Sequence, residues 1–425
     1  MSRFRPGRFI GVLLGTVAIL AVGVYGPATL LGPLPAATVT LLPPPAAEAN
    51  VSPPALPVAG TSAVAALTVN DSGTIEAPTA ALPPIATGGS AEPLPLASIA
   101  KVITALVVLD AKPLAAGEAG PAVTLTTADY QGYLDYTANG ARAVTVFQGE
   151  VWSEQELLQA MLLGSSNNHA DTIARWAFGS VDAYVTAANT WLTKQGFEDT
   201  SVADATGLDD ASVGTGADLA TVAGLAAGSP VISEILENPA SALAGRRGVD
   251  NTTAYLPEEG ITGISRSYTD AAGVCFLFTA RIVDGDQTFA FSGAIVGEPD
   301  YDTLDADLLA LMASARDGVG DLPVLKQGDK YVRFDTAWGP SAAGVVGVSK
   351  TRYAWQAATP TEPDITLDPV VSGREGKVVG RIAVTGTAGE ASSALELDST
   401  ISAPGPGWRL THPIPLITAL IDSRG

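Results

Sequence analysis

The chain has 425 residues, enough for two or three domains. It carries 44 acidic against 23 basic residues, a net charge of −21, which argues against a nucleic-acid partner because phosphate binding depends on Lys and Arg. The 47% of hydrophobic residues exclude a wholly disordered chain, and the single cysteine, Cys275, excludes an internal disulfide and a cysteine-rich zinc site.

The N-terminus combines three arginines, at positions 3, 5 and 8, with an uncharged apolar run from Phe9 to about Leu31. Such a run fits either a cleaved signal peptide or a retained membrane helix. We favour the anchor, because a typical cleavage site does not follow the apolar core. Since basic residues stay on the cytoplasmic side, residues 1–32 predict a cytoplasmic tip and a single-pass anchor with an extracytoplasmic body.

Residues 33–60 are rich in proline and alanine. Proline runs cannot enter helices or central strands, and they behave as semi-rigid extended spacers. We therefore expect a stalk between the membrane and the body.

Residues 61–317 show the patterns of one folded domain. The predicted elements are, in chain order, a strand over 63–69, a helix after Ser98, a helix begun by a capping box at Ser153, strands over 273–280 and 288–296, and a helix over 303–315 capped by Thr303. Strands at both ends with helices between them predict a sheet covered by helices.

Residues 322–410 change to short strand-like segments separated by Gly and Pro, such as 378–385. This pattern predicts a small β-sandwich-like domain. The tail, residues 411–425, is too short in apolar content to span a bilayer.

The first segment with chemical potential is Ser98-Ile99-Ala100-Lys101, where a helix begins. Residues three apart on a helix lie on one face, so the lysine lies beside the serine hydroxyl. A serine needs a base to become a nucleophile, and a lysine is a base only when burial or nearby cations lower its pKa by about 3 from 10.4. Ser98 also fits an ordinary helix cap. The second segment, Ser165-Ser166-Asn167, can relay a proton and hold an amide, although a polar loop fits it equally well.

Together these segments resemble the D-alanyl-D-alanine carboxypeptidases, the low-molecular-weight penicillin-binding proteins. The helical setting of Ser98-Ile99-Ala100-Lys101 looks like the family's first motif, and Ser165-Ser166-Asn167 looks like its second. Gly207-Leu208-Asp209 and the strand beginning at Tyr268-Thr269 are also similar to the family's pattern. The resemblance covers about residues 61–315.

The resemblance implies the α+β penicillin-binding-protein fold, with a five-stranded antiparallel sheet, flanking helices and a helical subdomain. It implies a serine carboxypeptidase that removes the terminal D-Ala of peptidoglycan stem peptides, is acylated by β-lactams and needs no cofactor or metal. Ser98 would be the nucleophile, Lys101 its base and Ser165 the proton shuttle. Asn167 would bind the substrate amide, and the backbone N–H groups of Ser98 and Tyr268 would form the oxyanion hole.

The third motif departs from the family, because Ser265-Arg266-Ser267 stands where Lys-Thr-Gly is usual. We expect Ser265 to line the substrate site and Arg266 to bind a carboxylate, since guanidinium groups do so in bidentate fashion. If Ser265 faces the cleft, strand alternation would turn Arg266 away from it. Two alternatives follow: a catalytically impaired relative that binds peptidoglycan stems or scaffolds wall enzymes, and a β-lactam-hydrolysing enzyme. We expect His169 to be a surface or helix-side residue.

Overall fold

The computed structural model describes residues 13–17, 19–45, 52–70, 72–355, 363–386 and 389–422. The chain forms two compact units. The first comprises residues 51–320 and 354–356, and the second comprises residues 1–50, 321–353 and 357–425.

The helices and strands of the described residues are numbered along the chain. The helices are α1 (Leu13–Leu31), α2 (Ile99–Ala111), α3 (Thr127–Ala138), α4 (Glu154–Leu163), α5 (Asn167–Phe178), α6 (Val181–Gln195), α7 (Gly216–Gly228), α8 (Pro230–Glu237), α9 (Tyr301–Asp317), α10 (Pro406–Thr411) and α11 (Pro413–Asp422). The strands are β1 (Thr38–Leu41), β2 (Thr61–Leu67), β3 (Pro84–Gly89), β4 (Leu94–Pro95), β5 (Ala122–Thr124), β6 (Val151–Ser153), β7 (Val213–Gly214), β8 (Ala242–Leu243), β9 (Arg246–Arg247), β10 (Ile261–Thr269), β11 (Gly273–Asp284), β12 (Gln287–Glu298), β13 (Val319–Leu325), β14 (Lys330–Asp335), β15 (Ser341–Val346), β16 (Lys350–Trp355), β17 (Asp364–Leu367), β18 (Val378–Gly386) and β19 (Gly389–Leu397).

The first unit is built on a five-stranded antiparallel sheet in the order β10-β11-β12-β2-β3. Strand β2, from the start of the unit, therefore pairs with β12, from near its end, so the sheet joins segments that are far apart in the sequence. This architecture confirms the α+β class expected from the sequence, with its antiparallel sheet and its helices.

Each face of this sheet packs against helices, because successive side chains of a strand point to opposite faces. Cys275 and Leu277 of β11 join a core with α2, α4 and α5. Phe276 and Phe278, one residue along, join a second core with the buried face of α9. The sheet is thus the middle of three layers, and β10 is its edge strand.

Local capping fixes where two helices begin. Ser153 accepts a hydrogen bond from the Glu156 backbone while Glu156 binds the Ser153 N–H, which confirms the predicted capping box of α4. The cap of α9 was placed wrongly from the sequence. Asp300 caps it and binds both the backbone N–H and the hydroxyl of Thr303, because a carboxylate there also favours the positive helix terminus.

The second unit contains a six-stranded antiparallel sheet in the order β1-β14-β15-β19-β18-β17. Its buried side chains, among them Phe334, Ile382 and Leu395, form one cluster. The edge strand β1 lies within residues 33–60, where the sequence predicted only a stalk. Residues 38–41 carry no proline, and their backbone pairs in register with β14. The proline-rich composition around them therefore does not describe the whole segment.

One helix of the described residues, α1, is long and apolar enough to cross a membrane. It has 19 residues and a mean hydropathy of 1.8, and only 6% of it is buried. Part of the predicted anchor, residues 1–12, lies outside the described residues.

Candidate active site

Ser98 stands at the N-cap position of α2, but its side chain makes no capping hydrogen bond. The hydroxyl is instead free to interact with groups from elsewhere in the fold. Lys101 Nζ donates a hydrogen bond to Ser98 Oγ over 3.0 Å, as the spacing of three residues on a helix predicts. The geometry therefore disagrees with the simpler interpretation of Ser98 as a helix cap.

Lys101 is buried, with 2% of its surface exposed. Its Nζ also donates to the backbone carbonyl of Thr206 over 2.8 Å, which fixes its position behind Ser98. Burial lowers the pKa of Lys101 from 10.5 to about 7, Asp204 opposes this, and the nearby charge of Arg142 lowers the pKa further. Near pH 7 a substantial fraction of Lys101 is thus neutral and able to accept a proton.

Ser165 approaches Ser98 from the turn between α4 and α5. Its hydroxyl donates to Ser98 Oγ over 3.0 Å. The Ser165 backbone has a φ of +50°, a left-handed conformation that a residue with a side chain adopts at the cost of about 1–3 kcal/mol. The turn holds this strain because its neighbours are pinned: the Asn167 N–H donates to the Arg142 carbonyl, and the Val144 N–H is shared by the side chains of Ser166 and Asn168.

Asn167 opens α5 next to Ser165 and is buried. Its side-chain oxygen has no hydrogen-bond partner among the described residues. A buried carbonyl without a partner is destabilising by about 1–3 kcal/mol, so a ligand that donates an N–H there recovers this free energy.

The loop that receives Lys101 is organised around Asp204. The Asp204 carboxylate accepts hydrogen bonds from the backbone N–H groups of Gly207 and Leu208 and from the hydroxyls of Thr206 and Ser212. These contacts hold the Thr206 carbonyl toward Lys101. The sequence analysis missed this role of Asp204, although an aspartate two residues before Thr206-Gly207 is typical of a side chain that stabilises a turn.

Strand β10 presents two serines to the nucleophile and turns its arginine away. Residues directly opposite in an antiparallel pair share a face, and Ser265 and Ser267 are opposite Leu277 and Cys275, on the α2 side. Arg266 is opposite Phe276, on the α9 side of the sheet.

The contacts of Arg266 follow from this placement. Its guanidinium lies over the rings of Tyr255 and Tyr301, 4.6 and 5.6 Å from their centroids, and its Nε donates to the Thr252 carbonyl. Arg266 is among the residues that line the cleft, but its guanidinium lies over the two tyrosines. This placement argues against the expected contact between Arg266 and a substrate carboxylate, because neighbouring residues of a strand face opposite sides of the sheet.

A small cleft brings several of the predicted residues together, since Ser98, Lys101, Ser165, Ser265 and Arg266 line it; Asn167 and Tyr268 are not among its lining residues. The Tyr268 side chain is 53% exposed and donates to Asp270, so only its backbone remains a candidate for the site.

The segment that carries these residues is similar to known proteins. A family model described as D-alanyl-D-alanine carboxypeptidase matches residues 84–288, which include α2, the Ser165 turn and β10. Residues 84–288 of the chain are thus similar to the D-alanyl-D-alanine carboxypeptidase family. A D-alanyl-D-alanine endopeptidase of Pseudomonas aeruginosa is 27% identical over 196 residues, which are 44% of this chain and 60% of that relative. The chain thus spans about 60% of the length of this curated relative.

Two solved structures of the family share the fold. The D-alanyl-D-alanine carboxypeptidase DacD of Francisella tularensis has a TM-score of 0.54 and 16% identity, and the match covers 83% of this chain and 96% of that one. Penicillin-binding protein 6B of Escherichia coli has a TM-score of 0.56 and 16% identity, with 82% and 97% covered. At this identity the likeness concerns the fold alone.

His169 and Cys275 are both buried, and neither is among the residues that line the cleft. His169 lies on α5, which agrees with the helix-side expectation, but it is buried and not at the surface. Its ring centroid is 4.6 Å from that of Trp152, with the ring planes tilted by 58°, and its Nδ1 lies 2.8 Å from Ser166 Oγ. Burial lowers the pKa of His169 to about 3, so the ring is neutral at physiological pH. Cys275 is buried in the core, and burial raises its pKa to about 12, which keeps the thiol protonated.

Proposed function

We propose that the protein is a serine D-alanyl-D-alanine carboxypeptidase that acts on peptidoglycan stem peptides. The observation that carries the proposal is the contact of Ser98 Oγ with both Lys101 Nζ and Ser165 Oγ, each over 3.0 Å. A nucleophile, a base of suitable pKa and a second hydroxyl thus meet at one cleft.

In the proposed reaction, neutral Lys101 accepts the Ser98 proton as Ser98 Oγ attacks the carbonyl of the penultimate D-Ala. The new C–O bond gives a tetrahedral intermediate, whose oxyanion is stabilised by the backbone N–H groups of Ser98 and Tyr268. Ser165 passes the proton from Lys101 to the leaving nitrogen, the C–N bond breaks, and D-Ala departs. Water then hydrolyses the Ser98 ester with Lys101 again as the base.

Substrate binding would use two predicted groups beside the nucleophile. The unpartnered oxygen of Asn167, two residues after Ser165, would accept an N–H of the stem peptide, and Ser265, which lines the cleft, would contact the peptide from β10. Arg266 has no part in this proposal, because its guanidinium is held by Tyr255 and Tyr301. A β-lactam, whose strained amide occupies the same position, would acylate Ser98 covalently.

The impaired-relative alternative rests on the altered third motif, Ser265-Arg266-Ser267, alone. A binding module needs no paired nucleophile and base, yet the Ser98–Lys101 contact is intact and the lysine is buried where its pKa falls to about 7. Endopeptidase activity is a second candidate because of the curated relative from Pseudomonas aeruginosa. It differs in substrate only, since the amide cleaved would lie in a cross-link.

The test is acylation by a labelled penicillin, followed by intact-mass analysis of the full chain in detergent. We expect one adduct on the native protein and none on the Ser98→Ala variant. A Ser292→Ala variant, which changes a buried serine of β12, is the matched control and should be labelled like the native protein. The absence of an adduct on folded native protein at high penicillin concentration would refute the proposal. Release of D-Ala from a pentapeptide, against cleavage of a cross-linked dimer, separates the two activities.

We further propose that α1 anchors the body outside the cytoplasmic membrane. The support is its length, its apolar character and the three arginines that precede it in the sequence. Intact-mass analysis of the membrane-bound protein from cells tests this, because a chain that has lost its first residues would show a cleaved signal peptide instead.

A further inference from the structure

The backbone N–H of Ser98 already has a partner inside the protein. It donates to the hydroxyl oxygen of Ser267 over 3.2 Å, across a separation of 169 residues. Ser267 is 7% exposed, and its pairing with Cys275 places it on the face of β10 that is turned toward α2. The hydroxyl therefore lies between the edge strand and the N-terminus of the helix that carries the nucleophile.

This N–H is one of the donors that acyl transfer by Ser98 requires. When Ser98 Oγ attacks a carbonyl, negative charge develops on the carbonyl oxygen, and a useful donor must lie 2.7–3.1 Å from that oxygen. The N–H of the attacking serine is suitably close because it belongs to the same residue. Two oxygen atoms cannot occupy the single position along its N–H direction, so the Ser267 hydroxyl and the developing oxyanion compete for it.

We propose that the Ser267 hydroxyl occupies the oxyanion position of the resting site and must rotate away before a substrate carbonyl can enter. Serine rotates between three staggered conformations about its Cα–Cβ bond, so the movement needs no displacement of the strand. Ser267 is thereby a residue that sets the rate of acylation without taking part in proton transfer. The inference rests on the proposed role of Ser98 as the nucleophile.

The experiment measures the second-order rate constant of acylation by labelled penicillin for the full chain and for Ser267→Gly and Ser267→Ala. Both variants remove the competing hydroxyl, and we expect acylation to be about two- to tenfold faster, the range that the loss of one neutral hydrogen bond gives. Ser292→Gly is the matched control: Ser292 is a buried serine on β12 whose hydroxyl contacts Ala65, and this change should not accelerate acylation.

Each outcome decides the inference. Acylation of both Ser267 variants at or below the native rate, with melting temperatures like that of the native protein, would overturn it, because the hydroxyl would then not hinder the reaction. If Ser267→Gly loses stability through the freedom of glycine in a strand, Ser267→Ala decides instead. Native protein that is acylated while neither variant is faster refutes this inference alone. A native protein and variants that all resist acylation refute the proposed function together with it.

Discussion

Acylation of Ser98 should depend on pH through Lys101. Burial lowers the pKa of Lys101 from 10.5 to about 7, a difference equivalent to about 5 kcal/mol. About half of the lysine is then neutral at pH 7, whereas at a pKa of 10.5 the neutral fraction would be on the order of 1 in 3,000. The burial of this side chain is thus worth a factor of about 10³ in the population of the competent base.

The assay is the rate of acylation by labelled penicillin between pH 5 and pH 9. We expect a plateau above pH 7 and a tenfold fall for each pH unit below it, so that acylation at pH 5 is about 100-fold slower than at the plateau. A rate that still rises tenfold for each pH unit up to pH 9, or a rate that does not change with pH, would refute the conclusion that Lys101 is the base made neutral by burial.

The Arg142→Gln variant tests the same reasoning through a charge. Arg142 lowers the pKa of Lys101, so its removal should move the acid limb to higher pH. Arg142 is exposed, so salt screens its effect, and the shift should be larger at low ionic strength. Arg316→Gln is the control, because Arg316 pairs with Glu259 and does not influence Lys101. A limb that stays in place or moves to lower pH at low salt contradicts the role of Arg142.

Three further changes have defined outcomes. Ser165→Ala should slow acylation by about 10²-fold, since the proton relay is lost. A native rate of acylation in the same penicillin assay would exclude Ser165 from the proton relay. Gly207→Ala should lower the free energy of unfolding, measured in urea, by more than about 2 kcal/mol, because Gly207 has a φ of +76° and an added Cβ would lie 1.7 Å from the Ala97 carbonyl oxygen. The control Gly179→Ala, at a φ of +88° with open space around it, should lower the free energy of unfolding by only about 1 kcal/mol, and equal losses would contradict the clash at Gly207. Burial raises the Glu154 pKa to about 7, so the folded state holds this proton more tightly than the unfolded state, and the native protein should lose on the order of 1–3 kcal/mol of stability as the pH rises from about 4.5 to 7. Glu154→Gln should remove this loss, and an equal change in melting temperature between pH 5 and pH 8 for the variant and the native protein would refute the reasoning.

The parts of the site that the sequence determines are local. Helix geometry alone places Lys101 one turn from Ser98, and the capping box at Ser153 begins α4 without help from distant residues. The strands of the central sheet follow from short apolar runs between turn residues. The sequence predicts these features because each depends on contacts within a few residues.

Tertiary structure decides everything that joins distant segments. Ser165 meets Ser98 across 67 residues, and the pKa of Lys101 depends on burial and on charges from two other loops. The side of the sheet that Arg266 faces follows from its register opposite Phe276, and a shift of the pairing by one residue would exchange it with the serines beside it. The strand β1 exists because its partner lies about 290 residues later in the chain. A sequence pattern fixes which residues are available, whereas the electrostatics and the facing of a site depend on packing that only the folded chain provides.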